Sequence, residues 1–350
     1  MSHILHISKN KQNLEIRFAI IRLMREFFWS QGFTEVETPL ILRLPGQEPN
    51  LSPMKISVHD ENGKTFDGFM HTSPEYAMKK MMTCGFDNIF SVCKCFRDYE
   101  SFGGTHNPEF TMVEWYRAHK DFYALMDDTE QMVKYIVEGL KKLNILRPIG
   151  GSTVEAERLK DYKIGDFRRM HMRDVWKEYV GVNLDDYLEL EPMKKLCVER
   201  GYDFKEDVHY EDFYYRIFMN DIEPHLGMDA PTFVHHFPTC MASLSKISTE
   251  DPRYAERFEI YIDGIELANA FTELTNADEQ KDRLLHERAQ RKEMGRDVFD
   301  IDEEFIDALR AGMPDSTGIA LGVDRLVQIL TGCKNINDVL VLPMEKLFSS

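Results

Sequence analysis

The sequence predicts an α+β fold, a mostly antiparallel sheet flanked by helices. Two observations predict it. Segments that alternate in polarity and are rich in β-branched and aromatic residues are joined by hairpins rather than by helical crossovers. Stretches with a 3.6-residue apolar period lie between those hairpins.

The elements follow in chain order. Residues 12 to 31 read as an amphipathic helix, with Leu14, Ile16, Phe18, Ile20, Ile21, Met24 and Phe27 near helical spacing before Gly32. "GFTEVETPLI" then alternates as a strand and ends at Thr38-Pro39, where the residue before proline is pushed extended. In "HTSPEYAMKKMM", Ser73 suits an N-cap, Pro74 the first helical position and Glu75 the first turn. "NIFSVCKCFR" and "PEFTMVEWY" form two strands of a long hairpin around an irregular loop at 98 to 108. Helices are expected at 121–143, 192–200 and 210–222, and a polar linker with Gly150-Gly151 near 146–166.

"ERFEIYIDGIELANAFTEL" carries the clearest hairpin signal, with Asp263-Gly264 as a two-residue type I′ turn. Asn269, Phe271 and Glu273 share one parity while Glu266 has the other, so uniting them in one site requires a β-bulge near Leu267 or Ala268. A long acidic helix is expected at about 277–294. "GIALGVDRLVQIL" from 318 reads as a glycine-punctuated strand entering a buried helix.

Residues 1–350 are read as one domain with a helical insertion around 145–230, since large single sheets reach this length. No apolar run is long enough to cross a bilayer, and the N-terminus has no continuous apolar stretch before a small-residue cleavage site, so a cytoplasmic protein is expected. The six cysteines, at 84, 93, 95, 197, 240 and 333, match neither a disulfide framework nor a paired zinc motif. Mostly inert thiols in a reducing compartment are expected. A net charge of -17 argues against a broad nucleic-acid footprint and suits a basic protein partner.

Glu114 is the residue that most needs explaining. In a strand, Phe110, Met112, Glu114 and Tyr116 share one face, while Thr111, Val113 and Trp115 share the other. A carboxylate and a phenol two residues apart among apolar side chains suit the floor of a pocket that grips a cation, although an isolated stretch of this kind is also what a solvated sheet face gives. Arg97 after an apolar strand is, taken singly, an ordinary edge cation.

Together the segments are specific. "FTEVETP", "FRDYE" followed by "HNPEF", and "GIALGVDR" occur in the order and spacing of the three motifs of class II aminoacyl-tRNA synthetases. "TSPEY", "HNPEFTMVEWY", "ERFEIYIDGIELANAFTEL" and "GMPDSTGIALGVDRLV" resemble the lysyl-tRNA synthetase catalytic domain over most of residues 15 to 345. That pattern begins within the first fifteen or so residues, so the N-terminal OB-fold anticodon domain of the charging enzymes is expected to be missing. The chain therefore resembles the elongation factor P–(R)-beta-lysine ligase family, as "PTFVHHFP" and "SLSKISTED" also suggest.

The resemblance implies a class II synthetase-like sheet and an ATP-dependent ligase. A lysine-type amino acid, expected to be (R)-beta-lysine, would be activated as an adenylate and passed to a lysine of elongation factor P; tRNA binding is not expected. It also implies residue roles. Arg97 and Arg325 would be catalytic, bridging carboxylate to α-phosphate and holding the far phosphates. Glu100, His106 and Phe110 would complete the ATP site, with Phe110 stacking on adenine. Glu259 and Glu266 would hold Mg2+. Glu114, Tyr116 and Glu273 would receive the ε-ammonium, Glu75 the amino group near the carboxylate, and Asn269 the carboxylate, with Phe271 and Ala320 lining the pocket. Ala320 stands where lysyl-tRNA synthetases have glycine, and its methyl would favour a beta-amino acid by shape.

Motif 1, around Glu37 to Pro39, implies a symmetric homodimer. One departure stands out. The sequence reads Arg97-Asp98-Tyr99-Glu100 where Arg-x-Glu is usual, and the loop to His106 is one residue longer. Two other readings share much of this pattern: a truncated lysyl-tRNA synthetase-like enzyme with tRNA or a small amine as acceptor, and a silent regulatory paralogue.

Overall fold

A computed structural model describes residues 3–143, 165–203 and 209–348. Its centre is an eight-stranded sheet in the order β1-β5-β6-β11-β10-β9-β8-β7. The strands are β1 (Thr34–Glu35), β5 (Asn88–Phe96), β6 (Glu109–Ala118), β7 (Arg168–His171), β8 (Thr232–Pro238), β9 (Tyr254–Ile262), β10 (Ile265–Thr272) and β11 (Ser316–Gly322). The outermost pairs, β1 with β5 and β7 with β8, are parallel, and every pair between them is antiparallel. A small sheet of β2 (Ile41–Leu42), β4 (Thr65–Met70) and β3 (Lys55–His59) stands beside it.

The helices are α1 (His3–Lys9), α2 (Lys11–Ser30), α3 (Glu75–Thr83), α4 (Phe122–Lys142), α5 (Met172–Tyr179), α6 (Leu190–Glu199), α7 (Tyr210–Ile217), α8 (Ala277–Glu293), α9 (Glu303–Gly312), α10 (Val323–Thr331) and α11 (Met344–Phe348).

The period-2 pattern of β6 decides which face becomes core. Val113 and Trp115 are fully buried against Phe28 of α2, Met126 and Ile136 of α4, and Leu326 of α10. Their even-numbered neighbours must then face the opposite side. Burying a large aromatic such as Trp115 is worth roughly 3–5 kcal/mol by large-to-small replacement, which fixes the register of the strand. Phe18, grouped with the apolar stripe of α2 by its sequence position, is instead exposed. Residues 172–203 and 209–226 are largely helical and gather around Trp176, Phe213 and Tyr214, packing onto Val234, Phe237 and Tyr261 of β8 and β9. The linker expected near 146–166 lies outside the described residues except for its last two positions.

Two local expectations are modified. Of "GFTEVETPLI", only Thr34 and Glu35 join the main sheet, while Ile41, with Leu42 after the stretch, pairs with β4 instead. In α3, Pro74 occupies the cap and the helix starts at Glu75; Ser73 Oγ accepts the Glu75 N–H at 3.0 Å. Pro has no N–H to satisfy, so the cap moves one residue without losing a bond.

Behind the sheet, Arg17 donates to Asp324 Oδ1 at 2.5 Å and to Thr111 Oγ1 at 2.7 Å, and Asp324 Oδ2 accepts the Thr111 N–H at 2.9 Å. Both charged side chains are buried. Removing one partner would leave an uncompensated buried charge, so Asp324→Ala is expected to destabilise the fold by about 3–5 kcal/mol. Urea unfolding of the variant and the wild type measures this, and a change within error would show that the pair contributes no net stability.

Candidate active site

Strand register assembles the site. Directly opposed residues share a face, so the pairs Ser91 with Glu114, Glu114 with Ala320, Ala320 with Asn269, and Asn269 with Glu259 place these side chains in one row across five strands. A second row runs through Tyr116, Gly318, Phe271 and Arg257. The register of β9 and β10 slips between Glu266 and Ala268, the bulge that parity required, and this returns Glu266 to the face of Glu259 and Tyr261. The turn that joins the two strands has Asp263 at φ 54 and Gly264 at φ 71, as type I′ demands.

At one end of the rows lies an acidic pocket. Glu114 is 1% exposed, accepts a bond from Ser73 Oγ at 2.6 Å and one from the Tyr116 hydroxyl at 3.2 Å, and has no cation among its hydrogen-bond partners. Burial, then the nearby Glu75 charge, pushes its carboxyl well above the usual range. Burial and Glu114 likewise raise the Tyr116 phenol.

Glu273 is different. Lys79 Nζ lies 2.5 Å from its Oε2 and 2.6 Å from Glu75 Oε1. Burial works against the Lys79 ammonium, but Glu273 and Glu75 outweigh it and hold its pKa above the ordinary value. Burial pushes the Glu273 carboxyl up to about 8, against the pull of Lys79. One internal cation therefore serves two carboxylates, and Glu114 stays uncompensated. Gly318 makes room here, since a methyl at its position would overlap the Tyr116 ring and Glu273 Oε1. Lys79 was not singled out from the sequence, although its position four residues after Glu75 on one helix was the available signal.

Beside the rows, in the first turn of α10, Arg325 donates through Nη1 to the Glu266 carbonyl at 2.8 Å and through Nε to the Thr105 carbonyl at 3.3 Å; its Nη2 is 3.1 Å from His106 Nε2. His106 Nε2 is 3.9 Å from Glu100. Burial, then Arg325, lowers the His106 pKa, and Arg97 contributes in the same direction, so both guanidinium groups act on one imidazole. The Arg97 guanidinium sits 5.0 Å from the centroid of Phe110, on the ring that the resemblance assigns to adenine. In the loop after Arg97, Tyr99 is 92% exposed with φ 59, so the chain turns outward there while β5 and β6 stay in register.

Arg257, also not foreseen, closes the second row on β9. It donates to Asn269 Oδ1 at 2.9 Å and to Glu259 Oε1 at 2.8 Å, while Glu259 Oε2 accepts from the Tyr261 hydroxyl at 2.5 Å. With its oxygen committed to Arg257, the Asn269 amide keeps its N–H groups for a carboxylate ligand. Burial, then Glu266, raises Glu259 to about 7, the signature of two carboxylates crowded on one face.

A cavity of about 550 Å³ flanks the acidic end and is lined by Glu48, His71, Ser73 and Glu75 among others. Burial, then Glu75, raises the Glu48 carboxyl too, a further buried acid on this side that no motif had announced. Cys93 departs from the expectation of inert thiols: its hydrogen bond with Cys95 holds its pKa down at about 5, against its burial.

Known proteins are similar to the chain over nearly its whole length. A family model described as tRNA synthetases class II (D, K and N) matches residues 3–346. Proteins named elongation factor P–(R)-beta-lysine ligase are similar to the chain in several bacteria. The one from Avibacterium paragallinarum is 37% identical over 341 residues, 95% of this chain and 96% of its own length. Those from Yersinia enterocolitica and Salmonella arizonae are 38% and 37% identical over 337 and 340 residues, covering 95% and 97% of either chain. The synthetase-type sheet and this full-length similarity place the chain in the elongation factor P–(R)-beta-lysine ligase family of class II tRNA synthetase-like proteins.

Proposed function

We propose that this protein activates (R)-beta-lysine with ATP and transfers it to a lysine side chain of elongation factor P. The observation that carries this reading is one sheet face with two chemistries: an uncompensated buried carboxylate at Glu114 in the cross-strand row, and beside that row the guanidinium groups of Arg97, which follows β5, and Arg325, which follows β11. An amino acid lying along the row would place its distal ammonium at Glu114 and Tyr116, and its carboxylate near Asn269 and Arg97. The Ala320 methyl stands between them, against the carbon atoms that separate amine from carboxylate.

Activation requires an anionic carboxylate to attack an anionic α-phosphate. The planar fork of Arg97 can bind both groups at once, and Arg325 holds the outer phosphates beside His106. The carboxylate oxygen forms the new bond to the α-phosphorus and pyrophosphate departs. The amine of the acceptor lysine then attacks the carbonyl carbon and AMP leaves. The mixed anhydride is already activated, so the protein needs no nucleophile of its own and contributes positioning and charge.

Glu259 and Glu266 would hold Mg2+, their hard oxygens and mutual repulsion suiting a divalent ion that offsets phosphate charge. The same reading carries a cytoplasmic location and a homodimer through the segment around Glu37 to Pro39.

The test is ATP–pyrophosphate exchange with L-lysine and (R)-beta-lysine, followed by transfer to elongation factor P, tRNA or small amines. Exchange favouring (R)-beta-lysine, with label moving to elongation factor P, is the expected result. Transfer to tRNA or small amines instead would change the acceptor, and no exchange with either amino acid would leave a silent paralogue.

A further inference from the structure

We propose that His71, Cys93 and Cys95 form a second metal site, a thiolate–imidazole set that binds one Zn2+ on the substrate face of the sheet. Cys93 and Cys95 are two residues apart on β5 and so project to the same side, with their sulfurs 3.9 Å apart. His71 follows β4 and is locked against the same strand: its carbonyl accepts the Phe96 N–H at 3.0 Å and its Nε2 is 2.5 Å from the Lys94 carbonyl.

That second contact assigns the tautomer. A carbonyl can only accept, so Nε2 carries the proton and Nδ1 is left with a lone pair. Nδ1 is buried on a residue only 1% exposed and makes no well-formed hydrogen bond, and the thiol that interacts with this ring is that of Cys93. A buried imidazole beside a thiol, with its other N–H fixed by a backbone carbonyl, is the usual arrangement of a metal-ligating histidine.

Ligand atoms from the three residues all lie within 4.8 Å of one another. A tetrahedral zinc with two sulfur ligands and one nitrogen needs donor separations of about 3.3–3.8 Å, so the sulfurs already stand near their final spacing and the third ligand closes by a small adjustment.

The donor set decides the metal. Two sulfurs and an imidazole are soft to intermediate ligands, which excludes Mg2+ and separates this site from the carboxylates of Glu259 and Glu266. Two thiolates cancel the charge of a dication, so Zn2+ leaves a neutral complex in a partly buried position. A monovalent copper would leave a net negative charge one cross-strand step from Glu114, because Ser91, the next residue on this face, pairs with Glu114. His71 and Cys95 are buried and Cys93 is partly exposed, so the ion enters from the Cys93 side and keeps an open fourth position there. The cavity that His71 lines brings solvent to this edge.

The experiment needs neither substrate nor activity, so its outcome is independent of the proposed reaction. The full-length protein, stripped with a chelator under reductant, is titrated with Co2+ and then with Zn2+. Thiolate-to-cobalt charge-transfer absorption is expected to saturate at one equivalent per chain and to be displaced by Zn2+. It should disappear in Cys93→Ser and in Cys95→Ser, weaken at least about tenfold in affinity in His71→Ala, and persist in Cys84→Ser and Cys240→Ser.

A measurement on the unaltered protein guards against variants that fail to fold. Zn2+ should protect Cys93 from alkylation, read by peptide mass. Absence of the charge-transfer band in the wild type, its survival in the Cys93→Ser/Cys95→Ser double variant, or unprotected alkylation at saturating Zn2+ would each overturn the assignment.

Discussion

Glu114→Gln is expected to abolish use of an amine-tipped amino acid while leaving the fold intact or more stable. Glutamine keeps the shape and an oxygen for Ser73 Oγ, which donates to Glu114 at 2.6 Å, and its amide can donate to the Tyr116 hydroxyl. What disappears is the pocket-floor carboxylate that Lys79 does not pair with, since Lys79 lies 2.5 Å from Glu273 and 2.6 Å from Glu75. Losing one partner of a buried charge pair costs about 2–5 kcal/mol, so (R)-beta-lysine-dependent exchange should fall by roughly 10²–10³-fold, chiefly through KM.

The pH dependence distinguishes this role from a structural one. The Glu114 pKa is raised above its ordinary value of 4.5 because the folded chain buries it. Between those two values the folded state binds the proton and the unfolded state does not, so Glu114 subtracts stability as pH rises from about 4.5 through its folded pKa. The Tm advantage of Glu114→Gln over wild type should therefore grow with pH across that window. In the ligand-free wild type the same proton must leave when an ammonium binds, so amino-acid affinity should rise with pH over the same range, and this slope should vanish in Glu114→Gln. Equal loss of Tm at every pH, with unchanged KM, would show that the carboxylate only supports the fold.

Arg97→Ala is expected to lower kcat for pyrophosphate exchange by about 10²–10³-fold, the scale for removing one preorganised donor from a developing anion. The guanidinium is held at 5.0 Å over Phe110, and its Nε is buried without a hydrogen-bond partner, so it is aimed by packing and keeps a donor for a ligand. Arg97→Lys should recover little, because an ammonium is a point charge and cannot bridge carboxylate and phosphate with a fork. Thermal unfolding of both variants should stay close to wild type. Full exchange activity in Arg97→Lys would show that charge alone suffices there.

Much of this molecule was readable from local pattern. The alternation of β6 separated Trp115 from Glu114, the Asp263-Gly264 pair fixed a hairpin, and parity alone demanded the bulge that appears between Glu266 and Ala268. These are consequences of side-chain period and turn chemistry within a few residues, which the order of amino acids carries directly.

The tertiary structure decided what depends on strand order. β11 inserts between β6 and β10, about two hundred residues on from β6, and only that insertion lines up Glu114, Ala320 and Asn269. It also decided which charges are already spoken for: Lys79 neutralises Glu273, and Arg257 ties Asn269 to Glu259. His71 meets Cys93 and Cys95 only because it is bonded to the backbone of β5, so a reading of cysteine spacing expected inert thiols. Period is a local property, whereas the electrostatic state of a buried group depends on every neighbour the fold brings within a few ångströms.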